Sequence, residues 1–170
     1  MSKLQEDFFT RDCLTVAQEL VGKVICRKTD DGILRLRISE TEAYCGEADT
    51  ACHVHKGRTS RTEVFYMNGG TVYVYLCYGI HWLLNIVTSV EEKPEAVLIR
   101  ACVDANGPAK LTKKLRIDKS FNAKNITRCD TLWIEDDGFT CNVSTAKRVG
   151  IDFAAQEDID REWRFVMSEQ

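Results

Sequence analysis

Three segments of this 170-residue chain place polar and aromatic side chains where a protein core would want aliphatic ones. The first is Glu40-Thr41-Glu42-Ala43-Tyr44, followed by Cys45-Gly46-Glu47-Ala48-Asp49-Thr50-Ala51-Cys52-His53. The second is Gly70-Thr71-Val72-Tyr73-Val74-Tyr75-Leu76-Cys77-Tyr78-Gly79, continuing to Asn85. The third is Leu98-Ile99-Arg100-Ala101. A carboxylate at the end of an apolar strand suits general acid or base work. Tyrosines suit stacking on a planar ligand. Asn85 and Arg100, polar within apolar runs, need partners if they are buried. Cys45, Cys52, His53 and His55 invite a metal hydrolase or redox site, but the Cys45–Cys52 interval matches no common zinc spacing and no C-x-x-C pair occurs. Glu40 with Glu42 would suit a glycosidase acting on sugars. The aromatics alone would suit a non-catalytic module that stacks nucleic-acid bases.

Strands must position most of these groups. Thr10 is expected to cap a helix from about Arg11 to Val21, with Leu14, Ala17, Leu20 and Val21 on one face and Gly22 past its end. Val24–Arg27 and Leu34–Tyr44 read as strands. In the second, Leu36, Ile38, Glu40, Glu42 and Tyr44 share parity, which predicts one face changing from apolar to acidic. Asn68-Gly69-Gly70 signals a turn before a strand Thr71–Cys77, and Tyr78-Gly79-Ile80 a tight reversal into His81–Thr88. Val97–Val103 reads as a strand interrupted by Arg100. Pro108 suits the first position of a short basic helix with Leu111 and Leu115 inward. Leu132–Glu135 and Trp163–Met167 complete a sheet. Strands without βαβ alternation predict an α+β fold: one domain over residues 1–170, with a curved, mostly antiparallel sheet, a protruding β-hairpin and a few surrounding helices.

Charge is unevenly spread. The net value of −3 divides into −3 over residues 1–105, +6 over residues 106–128 and −6 over residues 129–170. The middle stretch holds Lys110, Lys113, Lys114, Arg116, Lys119, Lys124 and Arg128 against Asp118 alone, an asymmetry suited either to a polyanion or to a solvated helix face. From Gly69 to Val90, 22 residues carry no formal charge, long enough to span a bilayer. The β-branched and aromatic residues there, divided by Gly79, read instead as two buried strands. The polar amino terminus lacks a signal peptide's apolar core, and several of the eight cysteines lie in apolar runs. Both features predict a reduced cytoplasmic protein that is not secreted.

Taken in order, the segments resemble the alkyladenine DNA glycosylase family, also called 3-methyladenine DNA glycosylases. The pattern is E-T-E-A-Y-x-G-x-x-D-x-A-x-H, then Y-V-Y-x-x-Y-G with Asn85 seven residues after Tyr78. Val97-Leu98-Ile99-Arg100-Ala101, Gly107-Pro108-Ala109-Lys110-Leu111 and Arg148-Val149-Gly150-Ile151 follow in the family's order, so the resemblance covers nearly the whole chain. Two departures stand out: Thr62 occupies a position where many members carry Asn, and the chain ends four residues after Arg164-Phe165-Val166.

The resemblance implies a monofunctional enzyme that flips damaged purines out of double-stranded DNA. Such an enzyme needs aromatic plates, a wedge, a water activator and a basic rim. By resemblance, Glu42 activates the water that attacks C1′, and Arg100 lies near that water and the sugar-phosphate. A structural ion pair with Glu40 would explain Arg100 equally well. Tyr44, His53 and Tyr75 wall the base pocket, Asn85 lies at its floor and disfavours guanine's exocyclic amino group, and Tyr78 is the wedge. Lys56, Arg58, Arg61, Lys110, Lys113 and Lys114 are candidates for DNA-backbone contacts. No lysine falls in the three segments, so water rather than a Schiff-base amine is expected to attack. The resemblance implies a monomer of the bacterial cytoplasm, nucleoid-associated, with no metal and no organic cofactor.

Overall fold

Asp12, rather than Thr10, starts the long N-terminal helix. Its carboxylate accepts from Thr15 N–H (3.0 Å) and the Thr15 hydroxyl (2.8 Å), the first satisfying a backbone donor that has no partner within the helix. Thr10 instead closes a preceding short helix, α1 (Glu6–Phe9), through Thr10 N–H to Glu6 O. Helix α2 (Cys13–Leu20) buries Cys13, Val16, Ala17 and Leu20, a stripe shifted from the expected one, with Leu14 only partly covered. Burying each larger aliphatic contributes about 1.5–3 kcal/mol.

The computed structural model describes residues 1–168. Nine strands are present among them: β1 (Ser2–Lys3), β2 (Val24–Thr29), β3 (Gly32–Tyr44), β4 (Val72–Cys77), β5 (His81–Thr88), β6 (Glu95–Cys102), β7 (Leu132–Asp136), β8 (Asn142–Ala146) and β9 (Arg164–Ser168). They form one sheet in the order β1-β7-β2-β3-β6-β5-β4, with β9 pairing both β3 and β8. Every strand pairing is antiparallel. Two further short helices, α3 (Pro108–Lys114) and α4 (Gln156–Ile159), complete an α+β architecture. The uncharged stretch 69–90 supplies β4 and β5, and no helix among the described residues is long and apolar enough to cross a membrane. Strand β8, largely exposed, was not anticipated because its sequence Asn-Val-Ser-Thr-Ala carries little apolar signal.

The 13-residue β3 connects the two halves of the sheet. Its first half pairs with β2, and its second lies between β6 and β9. Pairing with β6 is irregular between Ile38 and Thr41, and this corrects the expected parity. Leu36 and Ile38 face the core beneath α2, but beyond the irregularity Ala43 faces that core and the Thr41 hydroxyl donates to Ala17 O of α2 at 2.7 Å. Glu42 and Tyr44 therefore face the opposite side. Leu98 and Ala96, their partners on β6, turn with them, while Ile99 and Val97 stay in the α2 core.

Gly69 explains the turn before β4 by close approach. Its N–H reaches Ser89 O at 2.9 Å, and a Cβ there would sit 2.4 Å from Phe9 O and 2.8 Å from Ser89 O.

Candidate active site

The switch of faces in β3 delivers Glu42 and Tyr44 to the wall of a cavity of about 460 Å³. The same cavity is lined by His53, Tyr75, Tyr78, Asn85 and Arg100, so the expected catalytic and base-binding residues converge from four parts of the chain.

Glu42 is fully buried. Its Oε1 accepts from the Tyr44 hydroxyl (2.8 Å) and its Oε2 from the Val149 N–H (2.7 Å). Arg100 Nε stands 3.8 Å from Glu42 Oε2 and 3.9 Å from Glu40 Oε2, and Arg164 also reaches Glu40 at 3.4 Å. The guanidinium thus lies beside both carboxylates, so the ion pair expected with Glu40 is present and a second one reaches Glu42. Burial raises the Glu42 carboxyl above its ordinary range, opposed by the Val149 N–H, Arg100, Tyr44 and Arg148. A carboxylate with a raised value and both oxygens held is suited to accept a proton from a water in the cavity.

The opposite wall is aromatic. Tyr73 and Tyr75 stack at 5.5 Å with a 27° interplanar angle, and His53 meets Tyr75 edge-on at 4.6 Å. A short 3-10 turn (His53–Lys56) presents His53, whose Nδ1 is hydrogen-bonded with the Tyr73 hydroxyl at 3.0 Å. Burial, and secondarily the nearby Arg61 charge, push His53 down to about 4, so it is neutral at pH 7. Asn85, buried on β5, donates from Nδ2 to Tyr73 O at 3.2 Å. Tyr73 itself was not singled out for the pocket, although its parity with Tyr75 in Tyr73-Val74-Tyr75 was a usable signal. The Val149 N–H was missed too, since backbone donors leave no trace in residue types.

Tyr78 lies at the tip of the β4–β5 hairpin, 91% exposed, with neighbouring Ile80 at 72%. Its φ of +52° precedes Gly79 at +67°, a left-handed pair that few side chains other than Gly and Asn occupy cheaply. Tyr78→Asn is expected to leave the fold as stable or up to about 1–2 kcal/mol more so, which chemical denaturation checks.

The basic residues expected to contact the DNA backbone lie outside the cavity lining. Lys56 and Arg61 border an adjoining hollow of about 580 Å³, and the Arg61 guanidinium approaches the Tyr75 ring at 5.5 Å. Arg58 is engaged by Glu63 (2.6 Å) and Glu92 and lies over Tyr66, so it braces its loop rather than presenting a free charge. Thr62 closes the same loop, accepting from Thr59 N–H at 2.8 Å and donating to Gly57 O at 3.2 Å. Lys110, Lys113 and Lys114 are exposed on α3, whose first residues, Pro108 and Ala109, border the cavity. Among the described residues no three His, Cys, Asp or Glu side chains are grouped to hold a metal ion. His55, part of the alternative metal set, is bonded to Glu47 O at 2.8 Å.

Comparisons with known proteins agree with this arrangement. The family model described as methylpurine-DNA glycosylase matches residues 7–170. A protein of Psychrobacter cryohalolentis named "Putative 3-methyladenine DNA glycosylase" is 45% identical, covering 95% of this chain and 89% of its own length. Proteins of the same name from Natranaerobius thermophilus (40% identical; 96% of this chain, 94% of the relative) and Borreliella afzelii (42%; 93% and 92%) are similar over comparable spans. With a buried glutamate facing an aromatic cavity and a match spanning nearly all its residues, the chain belongs to the methylpurine-DNA glycosylase family, DNA-repair hydrolases of N-glycosyl bonds.

Proposed function

We propose that this protein is a monofunctional glycosylase of base excision repair that flips alkylated or deaminated purines out of duplex DNA and hydrolyses the bond between base and deoxyribose. The substrate class is 3-methyladenine, 7-methylguanine, hypoxanthine and ethenoadenine. The main support is the placement of a buried glutamate, held at both oxygens, in the wall of an aromatic cavity of about 460 Å³.

In this reading Tyr44, His53 and Tyr75 hold the flipped base, Asn85 lies at the pocket floor, and Tyr78 fills the gap left in the duplex. Glu42 orients a water toward C1′. The glycosidic bond lengthens with its electron pair moving to the purine, the water oxygen bonds to C1′, and the water's proton passes to Glu42. A cationic alkylated purine then departs neutral, whereas a neutral one such as hypoxanthine departs as an anion that takes up a proton from solvent, and Glu42 returns its own proton to solvent. The Glu42 carboxylate and the oxocarbenium-like carbon attract each other. Neutral His53 spares a cationic base a repulsive neighbour. No lysine lines the cavity, which supports attack by water and an abasic product without strand cleavage. The enzyme works as a monomer in the cytoplasm, and none of these steps calls on a metal or organic cofactor.

The deciding test is release of free base from duplexes carrying a single hypoxanthine or a single alkylated purine, with borohydride present. Release without a trapped covalent adduct is expected. Binding without release on every lesion would replace the enzyme reading with a base-stacking module, and a borohydride-trapped adduct would replace water with an amine nucleophile.

Lys56, Arg61, Lys110, Lys113 and Lys114 are assigned to phosphates, while Arg58 contributes by bracing its loop. Lys113→Ala with Lys114→Ala is expected to weaken binding to every duplex regardless of sequence or lesion. It should also reduce the slope of log affinity against log salt by about 1–2. An unchanged slope would remove α3 from the interface.

A further inference from the structure

The segment Arg148-Val149-Gly150, part of the sequence pattern, follows β8 and brings the Val149 N–H to Glu42, but Arg148 itself has no role in the chemistry above. Arg148 and Asp49 form an ion pair with side chains 0% and 1% exposed. Arg148 Nη1 donates to Asp49 Oδ2 (2.6 Å) and Ala43 O (3.0 Å), and its Nη2 to Asp49 Oδ1 (3.0 Å) and Asp158 O (3.3 Å). Its Nε remains without a partner. The guanidinium also lies 5.0 Å from the Tyr44 ring and 4.9 Å from Trp163.

Both groups that donate to Glu42 are therefore in direct connection with one residue. Tyr44, which donates to Oε1, packs its ring on the Arg148 guanidinium. Val149, which donates to Oε2, is the next residue in the chain. Besides Arg148, the segment is tied down at Lys147, whose carbonyl accepts from Arg164 Nε at 2.8 Å, and by the Val149 N–H bond to Glu42 itself.

We propose that Arg148 is a positioning residue for hydrolysis: paired with Asp49, it holds the Tyr44 hydroxyl and the Val149 N–H against the two oxygens of Glu42. This rests on the reading of Glu42 as the water-activating base. The arrangement fixes the carboxylate's rotation, and with it the direction in which a free lone pair meets the water. An error near 1 Å in such an alignment costs about 10²-fold in rate. It also sets how readily Glu42 ionises, because both donors favour the charged form. The other groups facing Glu42 are Arg100 from β6, Tyr75 from β4, and Glu40 on its own strand with Arg164 from β9; none of them is altered in the test.

Arg148→Met alone would strand Asp49 as a buried carboxylate without its cation and is expected to fold poorly. Two other variants carry the test. Asp49→Asn with Arg148→Met removes the pair together, and Arg148→Lys keeps the charge but cannot reach Asp49, Ala43 and Asp158 at once. Folding is checked by circular dichroism, lesion-duplex affinity by titration, and single-turnover base release across pH. In the folded paired variant, release is expected to fall about 10²-fold with affinity within about threefold of wild type. The pH at which release declines on acidification should move upward. Arg148→Lys is expected to show the same upward movement with about a tenfold loss. Wild-type rate and pH profile in either folded variant, alongside an inactive Glu42→Gln, would overturn this role for Arg148 and leave the glycosylase reading intact. Retained release by Glu42→Gln would overturn the base assignment and this inference together.

Discussion

Glu42→Gln is expected to lower single-turnover release of a damaged purine by about 10²–10⁴-fold, the usual range for losing a general base. Duplex binding should stay close to wild type. The substitution is nearly isosteric and its hydrogen bonds survive: Val149 N–H still meets a carbonyl oxygen, and the Tyr44 hydroxyl can rotate to accept from the new amide. What the amide cannot do is take a proton from water. The wild-type pH profile should carry the same signature. Burial raises the Glu42 carboxyl, so the active ionised form appears only as pH rises through that raised value, and release should decline on acidification earlier than for an ordinary glutamate. Equal release by Glu42→Gln and wild type would place the base elsewhere, with Glu40 next in line. Glu40 is the weaker candidate, because it is partly exposed and occupied by both Arg100 and Arg164.

The second large effect concerns stability. Asp49→Ala is expected to cost about 3–5 kcal/mol, because it leaves the buried Arg148 guanidinium without its counter-charge. For a domain of this size that corresponds to a fall in Tm of roughly 10 °C. Asp49 also accepts from the N–H groups of Cys45 (3.0 Å) and Ala51 (3.1 Å), so the loop between Tyr44 and His53 loses its internal anchor as well. The control is Asp31→Ala. Its partner is Arg116 at 3.0 Å, but the side chains are 76% and 57% exposed, and such a pair contributes about 1 kcal/mol or less. Denaturant unfolding of the two variants side by side separates a buried charge from a solvated one. Similar losses would mean that the Asp49 pocket admits water or rearranges around Arg148.

Much of this was legible along the chain. The alternating apolar residues of β3, the uncharged run split at Gly79 and the inward Leu111 of α3 with Leu115 at its end each report local burial, and local burial is what periodicity encodes. The types of Glu42, Tyr44, His53, Tyr75, Tyr78, Asn85 and Arg100 marked them as side chains that are costly in apolar strands unless something uses them, and the family resemblance supplied the roles expected of them. Tyr78 at a reversal was marked in the same way, and the left-handed backbone there adds to that cost.

Other features required the third dimension. Which face Glu42 occupies depends on the mutual alignment of β3 and β6, where the irregular pairing between Ile38 and Thr41 sends Leu36 and Ile38 one way and Glu42 the other. Strict alternation would have kept them together, and no single-strand pattern reports how a partner strand is aligned. Arg58 looked like a free cation until Glu63 and Glu92 were seen to hold it, and Asp12 capped α2 because it, not Thr10, lay where the helix's first N–H groups point. Residue type and order thus determined what chemistry the chain carries. Only tertiary structure decided that a backbone N–H more than 100 residues away bonds to Glu42 and that the neighbouring Arg148 guanidinium pairs with Asp49, since a contact between distant segments is settled by packing and leaves no local period to read.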